Sequence, residues 1–307
     1  MSLHGQQLSS GLEEALVGTP AAGGGPPADA GRSARREQLA VLARSKTFIA
    51  GAIIVGFWVL CAIFGEALVP KDPLASDPLN DLQAPSGEYW FGTDRLGRDV
   101  FARVITGARD ILIVAPAATL LGTVLGTMLG LVVGYYRGIV DDVLSRISDA
   151  ILAVPLLLVG LLSLTALGPS RLTVILVIGF VYTPIIARTV RAAVLTEREL
   201  DYVAAARLRN ERTPYVLFAE ILPNVMGPIL VEFTVRLAYA IFLIASLSFL
   251  GFGIQPPAPD WGLQIFEHYG LISGGFWWPV IFPALAITTL VIGVQLVADG
   301  LTDAFER

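Results

Sequence analysis

Charge, cysteine and histidine are all scarce in this chain of 307 residues. Charged residues make up 15% of it, where an ordinary soluble domain carries about 25%. That deficit excludes a soluble enzyme and a disordered chain. The net charge of −5 supplies no field that would draw a polyanion, so no nucleic acid is expected as a partner. The single cysteine, Cys61, excludes an intramolecular disulfide framework and a multi-cysteine zinc site. The two histidines, His4 and His268, are too far apart in the chain to suggest a metal centre. No G-x-x-x-x-G-K-[ST] phosphate loop occurs. We expect no catalytic residue, bound cofactor or metal in this chain.

What is present is apolar: 54% of the residues are hydrophobic and the mean hydropathy is +0.69. They form long uncharged blocks separated by short polar ones, the pattern of an integral membrane protein. Uncharged stretches run Thr47–Gly65, Ile111–Tyr136, Ala150–Ser170 and Leu172–Ala187. Ile221–Ile254 follows, broken only by Glu232 and Arg236, and Tyr269–Ala298 comes last. A spanning helix takes about 20 apolar residues at 1.5 Å each, so we expect an all-α membrane protein of six transmembrane helices. The fourth should continue past Arg188 and Arg191. A continuous fifth helix from Ala219 to Leu250 would reach about 48 Å. The surplus over a hydrocarbon core of about 30 Å must go into tilt, the Pro223 and Pro228 breaks, or the cytoplasm.

Residues 1–40 read as a tail rich in small residues, including Ala21-Ala22-Gly23-Gly24-Gly25-Pro26-Pro27. It is too poor in apolar area to offset its ordering entropy and lacks the regions of a signal peptide, so we expect it disordered and cytoplasmic. Residues 41–307 form the membrane domain, with an outer loop at 70–104 and a polar loop at 196–224. Alternating orientation from an inside N-terminus places 14 of the 21 basic residues inside, as the positive-inside rule requires, and both termini in the cytoplasm. Gly122, Gly126, Gly130 and Gly134 lie four apart on one helix face, which permits close helix packing. Pro116, Pro155, Pro184, Pro228 and Pro283 fall within helices and mark kinks.

In the outer loop, Pro70, Pro73, Pro78 and Pro85 argue against regular structure in its first half. Leu96, Val100, Phe101 and Val104 then recur at helical spacing, with Thr93 or Asp94 as a cap. This pattern predicts a short amphipathic surface helix with Arg95, Arg98, Asp99 and Arg103 on its polar side. Glu232 and Arg236, at i,i+4 on the fifth helix, can neutralise each other as an intramembrane ion pair.

The most informative stretch is Thr196–Asn224, the longest polar insertion between helices. Asp201 opens a small-faced helix, Tyr202-Val203-Ala204-Ala205-Ala206, and Arg207 and Arg209 complement its C-terminal dipole. Asn210 suits the left-handed residue that ends it, before Glu211. This segment resembles the EAA loop of permease subunits of binding-protein-dependent ABC importers. Ala205, Ala206, Asn210 and Leu222-Pro223 occupy the motif positions, with Asn210 in place of its glycine and Ala204 in place of its acid.

The rest of the chain resembles the C-type permease of dipeptide, oligopeptide and nickel importers. Gly92-Thr93-Asp94-Arg95-Leu96-Gly97-Arg98-Asp99 is similar to its outer-loop signature. Ser246–Pro257 with Asp260-Trp261-Gly262, and Asp299-Gly300-Leu301-Thr302-Asp303-Ala304, are similar to two further ones.

The resemblance implies a type I ABC importer permease fold in the bacterial inner membrane, and a non-catalytic transport subunit. It implies a second homologous permease, two ATPase subunits that bind ATP and Mg, and an extracytoplasmic peptide-binding protein as partners within the lipid bilayer. Asp201–Glu211 would be the ATPase-coupling helix, with Ala205 and Ala206 keeping its contact face shallow and Tyr202 as an anchor. Dipeptides or oligopeptides are the expected cargo, with nickel or another small solute as the alternative. An ion-coupled secondary transporter would place ionisable groups at membrane depth, where this chain offers only Glu232 and Arg236.

Overall fold

The computed structural model describes residues 42–136 and 138–305, so the tail expected to be disordered lies outside the described residues. Nine principal helices follow in chain order. The first four are α1 (Lys46–Leu68), α2 (Val100–Tyr136), α3 (Ile139–Leu152) and α4 (Leu156–Leu167). Then come α5 (Arg171–Glu197), α6 (Asp201–Leu208), α7 (Met226–Phe249), α8 (Trp261–His268) and α9 (Trp278–Phe305). Among the described residues there is no strand, only one isolated bridge between Thr93 and Asp99.

Five helices, α1, α2, α5, α7 and α9, are long and apolar enough to cross a membrane. Among the described residues, the pair α3–α4, bent by 83°, passes the same test only when its two helices are taken together, as a broken span or a re-entrant loop. The single third helix expected over 150–170 is therefore broken at Ala153-Val154-Pro155. Pro155 has no N–H to donate and disfavours helical backbone in the residue before it. α4 alone has 12 residues, about 18 Å. Elsewhere the ends are capped as side-chain chemistry dictates: Ser45 accepts from the Phe48 amide, and Ser170 from the Thr173 amide.

One further expectation is corrected, and the fifth helix takes one of the courses its length left open. The short surface helix of the loop does not exist separately. Asp99 accepts the Phe101 amide at 3.0 Å, and from Val100 the helix runs unbroken through Tyr136 as α2. Its first turns bury Val100, Ala102 and Val104, so the loop continues directly into the core. Nor is the fifth helix one rod. A π-helical turn at Val216–Ile221 and a short turn at Leu222–Asn224 precede it. Val225, at φ −94° and ψ 5°, separates these from the 24 residues of α7. The surplus length is absorbed by this break beside Pro223 and Pro228. α5 does continue through Arg188 and Arg191 to Glu197.

The most extensive helix pairing among the described residues is between α2 and α5. A Cβ on Gly126 would lie 2.8 Å from the Thr183 carbonyl oxygen and from Ile186 Cβ, and one on Gly130 would lie 2.7 Å from the Ala187 carbonyl. Gly122 and Gly134 face Tyr182 and Val194 in the same way. The glycine stripe thus brings two long helices to backbone contact over four turns, and their dispersion contacts stiffen them into one bar.

This contact predicts that Gly126→Ala destabilises the protein by about 1–3 kcal/mol, because the obstructing atom is backbone and cannot move aside. Gly56→Ala in α1, where a Cβ meets nothing within 4 Å, should be neutral or stabilise by up to about 1 kcal/mol. Melting temperatures of the two variants in detergent check the contrast.

Candidate functional site

The segment that joins α5 to α7 is fastened to the end of α2. Arg198, the C-cap of α5, donates from Nη1 to the carbonyls of Gly134 and Tyr135. A cation there satisfies carbonyls that the last turn of α2 leaves open and complements its dipole. The Arg207 guanidinium lies 4.9 Å from the centre of the Tyr135 ring. Tyr202 donates its hydroxyl to Glu197 at 2.6 Å. Burial, reinforced by the Glu197 carboxylate, pushes the Tyr202 phenol up to about 12. Tyr202 therefore serves as an internal tie between α6 and α5.

α6 ends in a Schellman motif. The Glu211 amide donates to the Ala206 carbonyl at 3.2 Å and the Asn210 amide to the Arg207 carbonyl at 2.9 Å. Asn210 sits at φ 59°, in the left-handed region. This is the conformation a glycine usually supplies, and asparagine is among the few other residues that reach it routinely.

The faces of α6 differ from the expected grouping. Val203 and Ala206 are fully buried and join the core formed with Val216 and Ile221, while Ala204 and Ala205 are exposed. Consecutive helix residues stand about 100° apart, so Ala205 and Ala206 cannot share one shallow contact face. Arg209 is held within the chain by Glu220 at 3.2 Å and Glu211 at 3.7 Å. Leu208, overlooked in the sequence, is 89% exposed. It follows Ala204 by four residues, a spacing that puts both on the outward face and could have revealed it. The outward surface is thus Asp201, Ala204, Ala205 and Leu208.

At the opposite end of the bundle the loop signature forms a buried charge cluster. Asp94 Oδ1 accepts the amides of Leu96 at 2.8 Å and Arg98 at 3.0 Å, and its Oδ2 accepts Arg98 Nε at 2.6 Å. Arg98 Nη2 reaches Glu267 of α8 at 3.0 Å, and Arg103 lies 3.8 Å from both carboxylates. Burial pushes the His268 imidazolium pKa down, so the neutral ring donates from Nδ1 to the Gln264 carbonyl, 2.7 Å away. Asp260, whose Oδ1 caps α8 through the Leu263 amide, is pushed up to about 6 by burial.

The expected polar, exposed side is therefore wrong for Arg98, Asp99 and Arg103, which are all buried. Arg95 alone of this set is exposed. Gly97, at φ +69°, presses against the Asp77 carbonyl, and Gly92, at φ +75°, against Gln83 and Trp278. Trp278 donates to the Thr93 carbonyl at 2.9 Å, which ties α9 to the loop. Glu267 and His268, missed in the sequence, complete the cluster from a distant part of the chain.

Within α7, Arg236 Nε meets Glu232 Oε1 at 2.6 Å. The i,i+4 pair closes as its spacing anticipates, in partly buried surroundings.

Arg98→Ala should cost about 3–5 kcal/mol, since it leaves the buried Asp94 carboxylate, and with it the partly buried Glu267, underpaired. Arg95→Ala should change stability by less than about 0.5 kcal/mol. Thermal unfolding in detergent separates these outcomes, and equal losses would contradict a buried cluster.

Residues 126–307 match the family described as binding-protein-dependent transport system inner membrane component. Residues 33–85 match the N-terminal transmembrane domain of oligopeptide transport permease C. The chain is 38% identical over 290 residues to a dipeptide transport system permease protein of Alkalihalophilus pseudofirmus, covering 94% of this chain and 95% of that one. It is 34% identical over 270 residues to a di/tripeptide transport system permease protein of Pseudomonas aeruginosa, covering 86% and 89%. With an oligopeptide transport system permease protein of Bacillus subtilis it shares 36% identity over 263 residues, covering 85% and 86%. By both matches the chain belongs to the family of binding-protein-dependent transport inner membrane components, as a multi-pass permease of the oligopeptide permease C type.

Proposed function

We propose that this chain is one of the two permease subunits of an ATP-driven importer of dipeptides or oligopeptides. Its partners are a second, homologous permease, two ATPase subunits that bind and hydrolyse ATP with Mg, and an extracytoplasmic peptide-binding protein. Both termini lie in the cytoplasm, α6 faces the ATPase, and peptide crosses between the two permeases. Peptide cargo is favoured over nickel because the relatives named above are peptide permeases.

One observation carries the mechanism. α6 presents an outward face of small residues and Leu208, while Arg198 and Arg207 hold it to the end of α2, Tyr202 bonds Glu197 of α5, and its inward Val203 and Ala206 pack with Val216 and Ile221. A push on that face is delivered to the paired long helices rather than dissipated in a loose loop. ATPase closure therefore moves the α2–α5 bar, and the bar alternates which end of the permease pair is open. The buried charge cluster holds the far end of the bar to α8, so the motion reaches the surface that receives the binding protein. The chain's own contribution is mechanical; the chemistry of hydrolysis belongs to its partners.

The test is co-expression with the partner subunits, reconstitution, and uptake of a labelled dipeptide. ATP-dependent uptake supports the reading, and transport of nickel without peptide would contradict it. Ala205→Trp should weaken ATPase retention by roughly 5- to 150-fold, the equivalent of about 1–3 kcal/mol of overpacking. Arg209→Ala should cause a mild defect, since partly exposed pairs contribute at most about 1 kcal/mol. Ala205→Trp that retains the ATPase and transports normally would remove α6 from the interface.

A further inference from the structure

α3 differs from every other long helix in how it is held. Among its described side chains no apolar one is buried: Ile139, Val143, Ile147 and Ile151 are exposed, and Leu144 and Leu152 half-buried. Both of its ends are free to turn. Gly138, at φ +69° with open space around it, precedes the helix, and the 83° break at Pro155 follows. Polar contacts to α5 take the place of a hydrophobic anchor. Asp141 accepts Arg191 Nε and Nη2, each at 2.6 Å, in a two-pronged pair, and Ser145 also donates to it at 3.1 Å. Asp149 accepts from Arg188 Nη2. Behind these pairs a cleft of about 380 Å³, lined by Leu129, Val133, Leu144, Ser148, Pro184 and Ala187, separates α3 from the bar.

These features belong together. A segment with few buried apolar contacts opens at low free-energy cost, and the Asp149–Arg188 pair, exposed on both sides, contributes little to holding it. The two-pronged arginine contact nonetheless fixes one geometry while it is formed. Arg188 and Arg191 stand on α5 just before the turn that α6 and α2 share, so any displacement of α6 reaches them directly.

We infer that Asp141–Arg191 and Asp149–Arg188 form a latch by which the α2–α5 bar holds and releases α3, making this half of the bent pair the moving gate of the permease, with α4 staying packed through Leu164. The inference rests on the importer reading above and assigns four positioning residues to the transport step. While the pairs are closed, α3 is held over the cleft. When the bar shifts with α6, the pairs part and α3 swings about Gly138 and Pro155.

The experiment uses the reconstituted complex with all partners. Arg191→Asp and Asp141→Arg, made separately, should each raise ATPase activity without loaded binding protein by about fivefold and lower peptide taken up per ATP by a similar factor, as loss of about 1 kcal/mol implies. The double exchange should restore both ratios toward wild type. Singles that stay fully coupled, or a double no better than the singles, would overturn the latch. If the singles do not assemble, label distances decide between nucleotide-free and ATP-trapped complexes. Probes at Met128→Cys and Ile147→Cys should change separation, while Met128→Cys and Thr196→Cys should hold theirs. A fixed 128–147 distance, or a 128–196 distance that shifts as much, would overturn it. Failure of the importer reading shows elsewhere, as absence of ATP-driven peptide uptake by the unmutated complex.

Discussion

The architecture depends on the missing Cβ atoms along one face of α2. Gly122, Gly126, Gly130 and Gly134 let α5 approach until its backbone carbonyls and β-carbons occupy the space a side chain would need. In a membrane, where lipid is as apolar as leucine, helix association draws on such close packing rather than on exclusion of water. Two helices in backbone contact along four turns behave as one body. Everything else in the molecule is either attached to that body or arranged to move against it.

Attachment is polar at both ends. At one end Arg198 and Arg207 bind the last turn of α2, so that α6 leaves the bar as a fixed arm. At the other, Asp94, Arg98, Arg103 and Glu267 knit the first turns of α2 to the loop and to α8. Buried charges of this kind are costly unless fully paired, and the cluster alternates two carboxylates with two guanidiniums. The movable part we propose is α3, none of whose described apolar side chains is buried, while α4 stays anchored through Leu164. Strong apolar packing marks the fixed parts, and exchangeable ion pairs mark the movable one.

How much of this was legible depended on the range of the interaction. The crossing helices could be read because 20 uncharged residues are a local property, and the left-handed Asn210 because one side chain decides that conformation. The glycine stripe pointed to a packed face without naming its partner. The buried cluster was hidden because Asp94, Arg98 and Arg103 at helical spacing fit an exposed amphipathic helix equally well. Glu267, 169 residues from Arg98, decides the matter. Pro155 was visible as a kink, but the 83° angle and the Asp141 and Asp149 pairs that hold α3 to α5 are tertiary facts. The pairing of Ala205 with Ala206 was an avoidable error, since adjacent helix positions diverge by about 100°.

The central claim is that α2, α5 and α6 transmit force as one rigid unit. The most direct measurement is a pair of structures of the complete transporter, nucleotide-free and ATP-trapped, superposed on α2. The account predicts that α5 and α6 overlay in both states, with Arg198 still on the Tyr135 carbonyl, while α3 is displaced. An α6 that swings relative to α5, or an α5 that slides along the glycine face of α2, would contradict it.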